Sequence, residues 1–226
     1  MKNYLATGLL ALACGFAGAA AWSFSGLGNG QTRDYLVANP DILPEMAEAF
    51  QRQQISDRLA SVSDEVREPF PGAVLGNPQG SQTLVKFTDY GCTYCRMSVA
   101  DTDRLLRENP DLRVVVREWP IFEGSEGAAR MALAAAKQGK FADFYHAMFE
   151  LGPPSDESVA AAARRAGLDL EQARRDATSQ DITTELAQNQ AYGQSLGFTG
   201  TPSWIAGDEV LEGAVGYDTL KAALAD

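Results

Sequence analysis

The chain has 226 residues, long enough for one or two domains with a full hydrophobic core. Its 45% hydrophobic and 22% charged residues exclude a disordered chain, a collagen and a polytopic membrane protein. A net charge of −11 has the wrong sign for neutralising nucleic-acid phosphates.

Lys2 carries the only early side-chain charge, and an uncharged run rich in Leu, Ala and Gly follows from Tyr4 to Phe24. The run reads as an export signal or a membrane anchor, which assigns 1–27 to targeting. It is long for a cleaved signal, yet Ala17-Gly18-Ala19 and Ala19-Ala20-Ala21 are small-residue cleavage patterns. Ala11-Leu12-Ala13 before Cys14 makes a poor lipoprotein box. Every version delivers the rest of the chain to an oxidising space: periplasmic, secreted, or anchored to the inner membrane by 4–24. With this segment set aside, Cys92 and Cys95 are the remaining thiols.

Residues 28–68 read as a helical arm. A polar Gly-rich patch, Gly26 to Thr32, precedes a short helix from Arg33 to Ala38, stopped by Asn39-Pro40. Asp41 is expected to cap a longer helix with Ile42, Leu43, Met46, Ala49 and Phe50 on one face, continued by Ile55, Leu59 and Val62. That apolar stripe either lies on its own domain or meets copies of itself.

The remainder, 69–226, has the order β, βαβ, a block of helices, ββα. Ala73 to Leu75 is a short edge strand, and Thr83 to Thr88 and Leu112 to Trp119 are β-prone runs. The helix between those runs, Cys95 to Glu108, is expected to bury Met97, Val99, Leu105 and Leu106, and its two strands to be parallel. A helical block occupies about 123–197. Period two then returns in Ser203 to Ala206 and Glu209 to Glu212, a hairpin around Gly207-Asp208, before a last helix from Tyr217.

The chemical centre is Gly91-Cys92-Thr93-Tyr94-Cys95, at the end of a strand and the start of a helix. Unpaired N–H groups and the helix dipole there favour an anion, so Cys92 reads as a thiolate nucleophile open to incoming proteins. Cys95, one turn deeper, reads as the resolving thiol. A zinc half-site lacks further ligands, with His146 the one histidine, and haem attachment fails because Arg96 follows Cys95. A static structural disulfide stays open.

Phe87 to Arg96, Arg117 to Ile121, the helical insertion and Gly200-Thr201-Pro202-Ser203-Trp204 together resemble the exported DsbA-type thiol:disulfide oxidoreductases of the thioredoxin superfamily. The resemblance implies an α/β thioredoxin fold with a helical insertion between its βαβ and ββα halves, and no bound cofactor. It also implies a cis Thr201–Pro202 bond beside the cysteines, with Thr201, Pro202 and Tyr94 contacting an extended substrate segment. Asp34 to Asp41 resembles the N-terminal segment of ScsC-like periplasmic proteins, some of which self-associate through this arm and act as isomerases.

Two departures bear on tuning. Thr93-Tyr94 contains neither Pro nor His, so a strongly oxidising poise does not carry over. Lys86 stands where family members more often carry a buried acid. It either faces Glu118 in a charge-swapped pair or reaches solvent along its stem. His146 reads as a partner of a local carbonyl, Trp119 and Trp204 as core, and Arg164-Arg165 and Arg174-Arg175 as solvated faces.

The leading expectation is an enzyme acting on unfolded or misbridged exported proteins as disulfide oxidase or isomerase, reset by a membrane or periplasmic redox partner. The alternative is a periplasmic Cu(I)-handling or peptide-binding module using the same CxxC without turnover. A glutathione-linked enzyme of the same fold is disfavoured by the export segment.

Overall fold

The computed structural model describes residue 8 and residues 13–18, 27–62 and 64–225. The proposed signal or anchor, 4–24, lies largely outside the described residues. Among the described residues no helix is long and apolar enough to cross a membrane.

The chain divides into two compact units, Met1–Arg52 and Gln53–Asp226. In the first, helix α1 runs Leu27–Ala38, so the helix begins inside the Gly-rich patch expected to precede it. A 3-10 turn at Pro40–Ile42 follows, and α2 spans Leu43–Ser61 across the division. Asp41 sits within that turn rather than capping α2, because Pro40 starts a 3-10 turn that takes Asp41 into its interior before α2 begins at Leu43. Tyr35, Val37, Leu43, Met46 and Phe50 are exposed.

The second unit is built on a five-stranded sheet in the order β1-β3-β2-β4-β5. Its strands are β1 (Val74–Gly76), β2 (Gln82–Thr88), β3 (Leu112–Glu118), β4 (Ser203–Ala206) and β5 (Glu209–Glu212). Strands β2 and β3 are parallel, with Leu84 beside Val114, Lys86 beside Val116 and Thr88 beside Glu118. Strand β4 runs antiparallel to β2 on its other side, and β1 closes the far edge against β3. Helix α3 (Thr93–Glu108) joins β2 to β3. Helices α4 (Glu126–Lys137), α5 (Phe141–Leu151), α6 (Asp156–Arg165), α7 (Leu170–Ala177) and α8 (Gln180–Ser195) form the insertion, and α9 (Tyr217–Ala223) closes the fold.

Both faces of β2 are buried, so its residues split between two cores. Leu84, with Val114, Val116 and Trp204, packs against the alanines of α4 and the aromatic face of α5. Val85 and Phe87 pack with Val115, Trp119, Tyr192 and Phe198 on the other face. The Phe87 ring meets Trp119 and Phe198 edge-on at 6.0 and 5.1 Å. Truncating Phe87 to Ala would cost about 3–5 kcal/mol. Val62 and Val66, assigned to the arm by sequence, belong to this second core. Gly193 has no side chain because the Trp119 ring lies where one would go, about 3.0 Å from an added Cβ.

Helix α3 corrects one expectation. It buries Cys95, Ser98, Thr102 and Leu105, while Met97 is 61% exposed. Positions 95, 98, 102 and 105 share one face at helical spacing, and Met97 falls off it. The face turned inward is mostly small and polar because it covers a buried polar cluster.

Candidate functional site

Cys92 is the N-cap of α3 with extended backbone, and its sulfur accepts from the Cys95 amide at 3.3 Å. The chain can place it there because Asp89 shapes the preceding loop. The buried Asp89 carboxylate accepts from the amides of Gly91, Ile121 and Phe122 at 2.7, 2.7 and 2.8 Å. Gly91 is required, since an added Cβ would lie 2.6 Å from Ser125 Oγ and 3.2 Å from Phe122. The loop after β3 is thereby fastened beside the loop after β2.

The second wall comes from the segment before β4. The Thr201–Pro202 peptide bond is cis, and the Cys92 thiol donates to the Thr201 carbonyl at 3.1 Å. These contacts leave Cys92 only 3% exposed, which corrects the expectation of an open thiol. Thr93 and Tyr94 flank it in solvent, and Met97 lies a turn beyond Tyr94.

The two cysteines, both free thiols here, ionise very differently. A hydrogen bond from the Cys95 thiol holds the Cys92 sulfur down to about 6, helped by the Thr201 hydroxyl and the amides of Cys95 and Tyr94, with burial opposing. Burial and the same bond to Cys92 push the Cys95 thiol well above its ordinary value. The Thr201 and Thr88 hydroxyls partly oppose that rise, and both oxygens are buried without a hydrogen-bond partner among the described residues.

Beneath the cysteines lies a buried polar cluster. Lys86 is fully buried, and its Nζ donates to Tyr145 Oη at 2.7 Å and Thr102 Oγ1 at 3.3 Å. The ammonium also stands 4.9 Å from the Trp204 ring centroid. Glu118 is separately engaged, accepting from Tyr90 Oη at 2.9 Å, with its other oxygen without a partner among the described residues. Neither expectation for Lys86 holds: it neither reaches solvent nor pairs directly with Glu118. The strand register explains this, because Lys86 lies beside Val116 while Glu118 lies beside Thr88. Burial lowers Lys86 to about 8, opposed by the negative charge Cys95 would carry as a thiolate and by Asp103, Glu118 and Asp101. Burial also raises Glu118, Tyr90 and Tyr145 well above their ordinary values.

His146 lies on the surface, bonded to the Ala142 carbonyl at 2.8 Å and to Asp103 at 3.0 Å. Trp119 and Trp204 are buried, and the paired arginines of α6 and α7 are exposed. Among the described residues no cluster of three or more His, Cys, Asp or Glu could hold a metal ion. Sequence reasoning assigned no role to Asp89, Tyr90, Thr102 or Tyr145. Ser98 and Thr102, polar and on the Cys95 face of a helix, were the one legible sign of the cluster.

Comparison with known proteins agrees with this geometry. A family model described as "DSBA-like thioredoxin domain" matches residues 83–225, and one described as "Copper resistance protein ScsC N-terminal domain" matches residues 32–54. A thioredoxin-like oxidoreductase from Silicibacter pomeroyi is 41% identical, with a TM-score of 0.68 over 72% of this chain and 95% of that one. A linker-deleted mutant of Proteus mirabilis ScsC is 26% identical, with a TM-score of 0.70 over 87% and 91% of the two chains. A periplasmic thioredoxin-like protein from Salmonella enterica is also 26% identical, with a TM-score of 0.64 over 73% and 94%. Among curated proteins, the Na(+)/H(+) antiporter NhaA of Herminiimonas arsenicoxydans is 30% identical over 153 residues, 66% of this chain. The chain spans about a quarter of the length of the curated relatives it matches (25%).

Proposed function

The chain belongs to the DsbA-like thioredoxin domain family of thiol–disulfide oxidoreductases, and from that premise we propose that it exchanges disulfides with unfolded or misbridged exported proteins. The observation that carries the proposal is the inequality of the two thiols. Cys92, at a helix N-terminus, loses its proton readily, and Cys95 behind it holds on to its own.

In the cycle, the Cys92 thiolate attacks a substrate disulfide and one substrate sulfur leaves as thiolate. Cys95 then loses its proton and attacks Cys92 Sγ, releasing the second substrate sulfur. The substrate gains two electrons and the cysteine pair is oxidised to a disulfide. The reverse sequence oxidises a dithiol. Thr201 and Pro202 form the wall against which an extended segment lies, and the exposed Tyr94, Met97 and Phe122 offer it apolar surface. The nearly covered sulfur admits a flexible, unfolded segment more readily than a folded surface. Thr93 presents its side chain at the mouth, and Lys86 and Glu118 tune the pair from below.

The arm joins copies of the chain through its exposed apolar residues, a reading supported by the match to the ScsC N-terminal domain. Copies sharing a central space and kept reduced would act as an isomerase; a monomer kept oxidised would act as an oxidase. A membrane or periplasmic partner resets the pair in either case.

The test is the reduction potential of the Cys92–Cys95 pair against glutathione, with Cys92→Ser as control, alongside insulin reduction. Turnover with a potential well above about −300 mV supports the proposal. A lower potential without turnover makes the pair a structural disulfide. Tight stoichiometric Cu(I) binding without turnover would favour a metal-handling module instead.

A further inference from the structure

Strand β3 ends at Glu118, and the next backbone tie to β2 is the Trp119 amide, which donates to the Thr88 carbonyl at 2.8 Å. Pro120 has no amide to donate, so the main-chain ladder stops there. The amides of Ile121 and Phe122 turn to a side chain instead. Both donate to Asp89 Oδ2, at 2.7 and 2.8 Å, while Oδ1 accepts from the Gly91 amide at 2.7 Å. Asp89 is 1% exposed, so water competes little for these bonds. One oxygen serves the loop that carries Cys92, and the other serves the loop after β3.

The second loop is a closed turn, with the Ser125 amide donating to the Phe122 carbonyl at 3.2 Å. It is pressed against the first: a Cβ added at Gly91 would lie 3.2 Å from Phe122 Cβ. Gly91 immediately precedes Cys92. The side chains presented by this turn, Ile121 and Phe122, are apolar and 40% and 48% exposed. A ring left half in water beside the reactive sulfur gains burial when a substrate side chain covers it.

We propose that Asp89 is a positioning residue for substrate selection: its carboxylate fixes Phe122 as an apolar wall beside Cys92, and that wall favours disulfides flanked by a bulky apolar residue. This rests on the oxidoreductase reading above and names the sequence context of the preferred substrate. Asp89 acts through the Ile121–Phe122 turn rather than on the substrate. Unfolded segments present bulky apolar residues and folded surfaces hide them, so the wall sorts between the two.

Asparagine at this position separates the two loops. It has one acceptor oxygen, and its amide group donates. In D89N the oxygen keeps the Gly91 bond, which closes a turn within the same loop. The amide group then meets the Ile121 and Phe122 N–H groups donor against donor, and the second loop is released.

The experiment follows attack by the reduced full chain on two symmetric peptide disulfides, one flanked by Phe and Leu and one by Ser and Gly. In each, the Cys92 thiolate bonds one peptide sulfur and the other peptide leaves as thiolate. Each rate is divided by the same variant's rate with glutathione disulfide, which cancels any change in Cys92 itself. Wild type should favour the apolar peptide by about tenfold. D89N and F122A should each abolish that preference, and thiolate absorbance of D89N should keep the wild-type Cys92 midpoint.

A wild type without preference, or a preference that survives in D89N or F122A, would overturn the proposal. A D89N chain slowed equally toward all three disulfides, with its Cys92 midpoint moved, would reduce Asp89 to shaping the nucleophile's loop and overturn it too. Should D89N not fold, F122A carries the kinetic test and hydrogen exchange in the wild type carries the clamp. The Ile121 and Phe122 amides should then exchange about a hundredfold or more slower than free peptide, and unprotected amides would overturn the clamp. A wild type inert toward all three disulfides strikes the oxidoreductase reading instead, so the two failures are distinct.

Discussion

Cys92 and Thr201 are 109 residues apart in the chain, yet the thiol donates to the Thr201 carbonyl oxygen across 3.1 Å. The two halves of the thioredoxin unit therefore meet at the reactive sulfur. The Thr201 hydroxyl is buried there without a hydrogen-bond partner among the described residues. It is placed to donate to the Cys92 sulfur once that thiol has ionised.

Thr201→Val keeps the shape of the wall and removes that donor. One hydrogen bond is worth about 0.5–1.5 kcal/mol, so the Cys92 midpoint should rise by roughly 0.4–1 pH unit. Thiolate absorbance checks this, and an unmoved midpoint would remove the hydroxyl from the account.

Ionisation of Cys92 also makes stability depend on redox state. The folded thiol titrates at about 6 and an unfolded one at about 8.5. A depressed folded value means stabilisation present above the unfolded value and lost as pH falls through 6. The disulfide form has no such group. Melting temperatures of the reduced form should therefore gain on the oxidised form between pH 6 and 8. A constant difference would show that the thiolate is not favoured by the fold.

Glu118 has the opposite sign. Burial raises its folded value well above that of an ordinary carboxylate, so the native state holds a proton that the unfolded chain releases. Stability should fall as pH rises above about 4.3, the unfolded Glu value. Glu118→Gln removes that slope while keeping a hydrogen-bonding oxygen for Tyr90. Its melting temperature relative to wild type should increase from pH 4 to 7; a parallel shift at both pH values would mean Glu118 folds ionised.

Arg117, on the opposite side of β3, is a structural tie. It pairs with Glu185 at 2.8 Å and donates to the Val66 carbonyl at 3.1 Å, to the Glu65 and Glu68 carbonyls and to Asn189. Arg117→Ala strands a largely buried Glu185 and frees the 3-10 turn at Asp64–Arg67. The loss should be about 3–5 kcal/mol by denaturant unfolding. A loss under 1 kcal/mol would mean water replaces the guanidinium.

Much of this architecture is readable from pattern. The hairpin Ser203–Ala206 and Glu209–Glu212 follows from period two around Gly207-Asp208, and the parallel pairing of β2 with β3 from the helix between them. Cys92 at the N-cap follows from the CxxC lying at the strand-to-helix junction. What failed depended on partners distant in sequence. Hydropathy sends Met97 inward, but α3 turns Ser98 and Thr102 inward because Lys86 and Tyr145 wait beneath them. A Lys86–Glu118 pair looks natural for two opposite charges on adjacent strands. The register offsets them, and two tyrosines, one from the loop and one from the insertion, take their places as partners. The covering of Cys92 by Thr201 likewise needs the closing half of the fold.

The most direct test of the account is titration of thiolate absorbance in the reduced chain, with Cys92→Ser subtracted to isolate one sulfur. The account predicts a midpoint near 6 that disappears in the variant. A Cys92 midpoint at or above the ordinary thiol value of about 8.5 would contradict it.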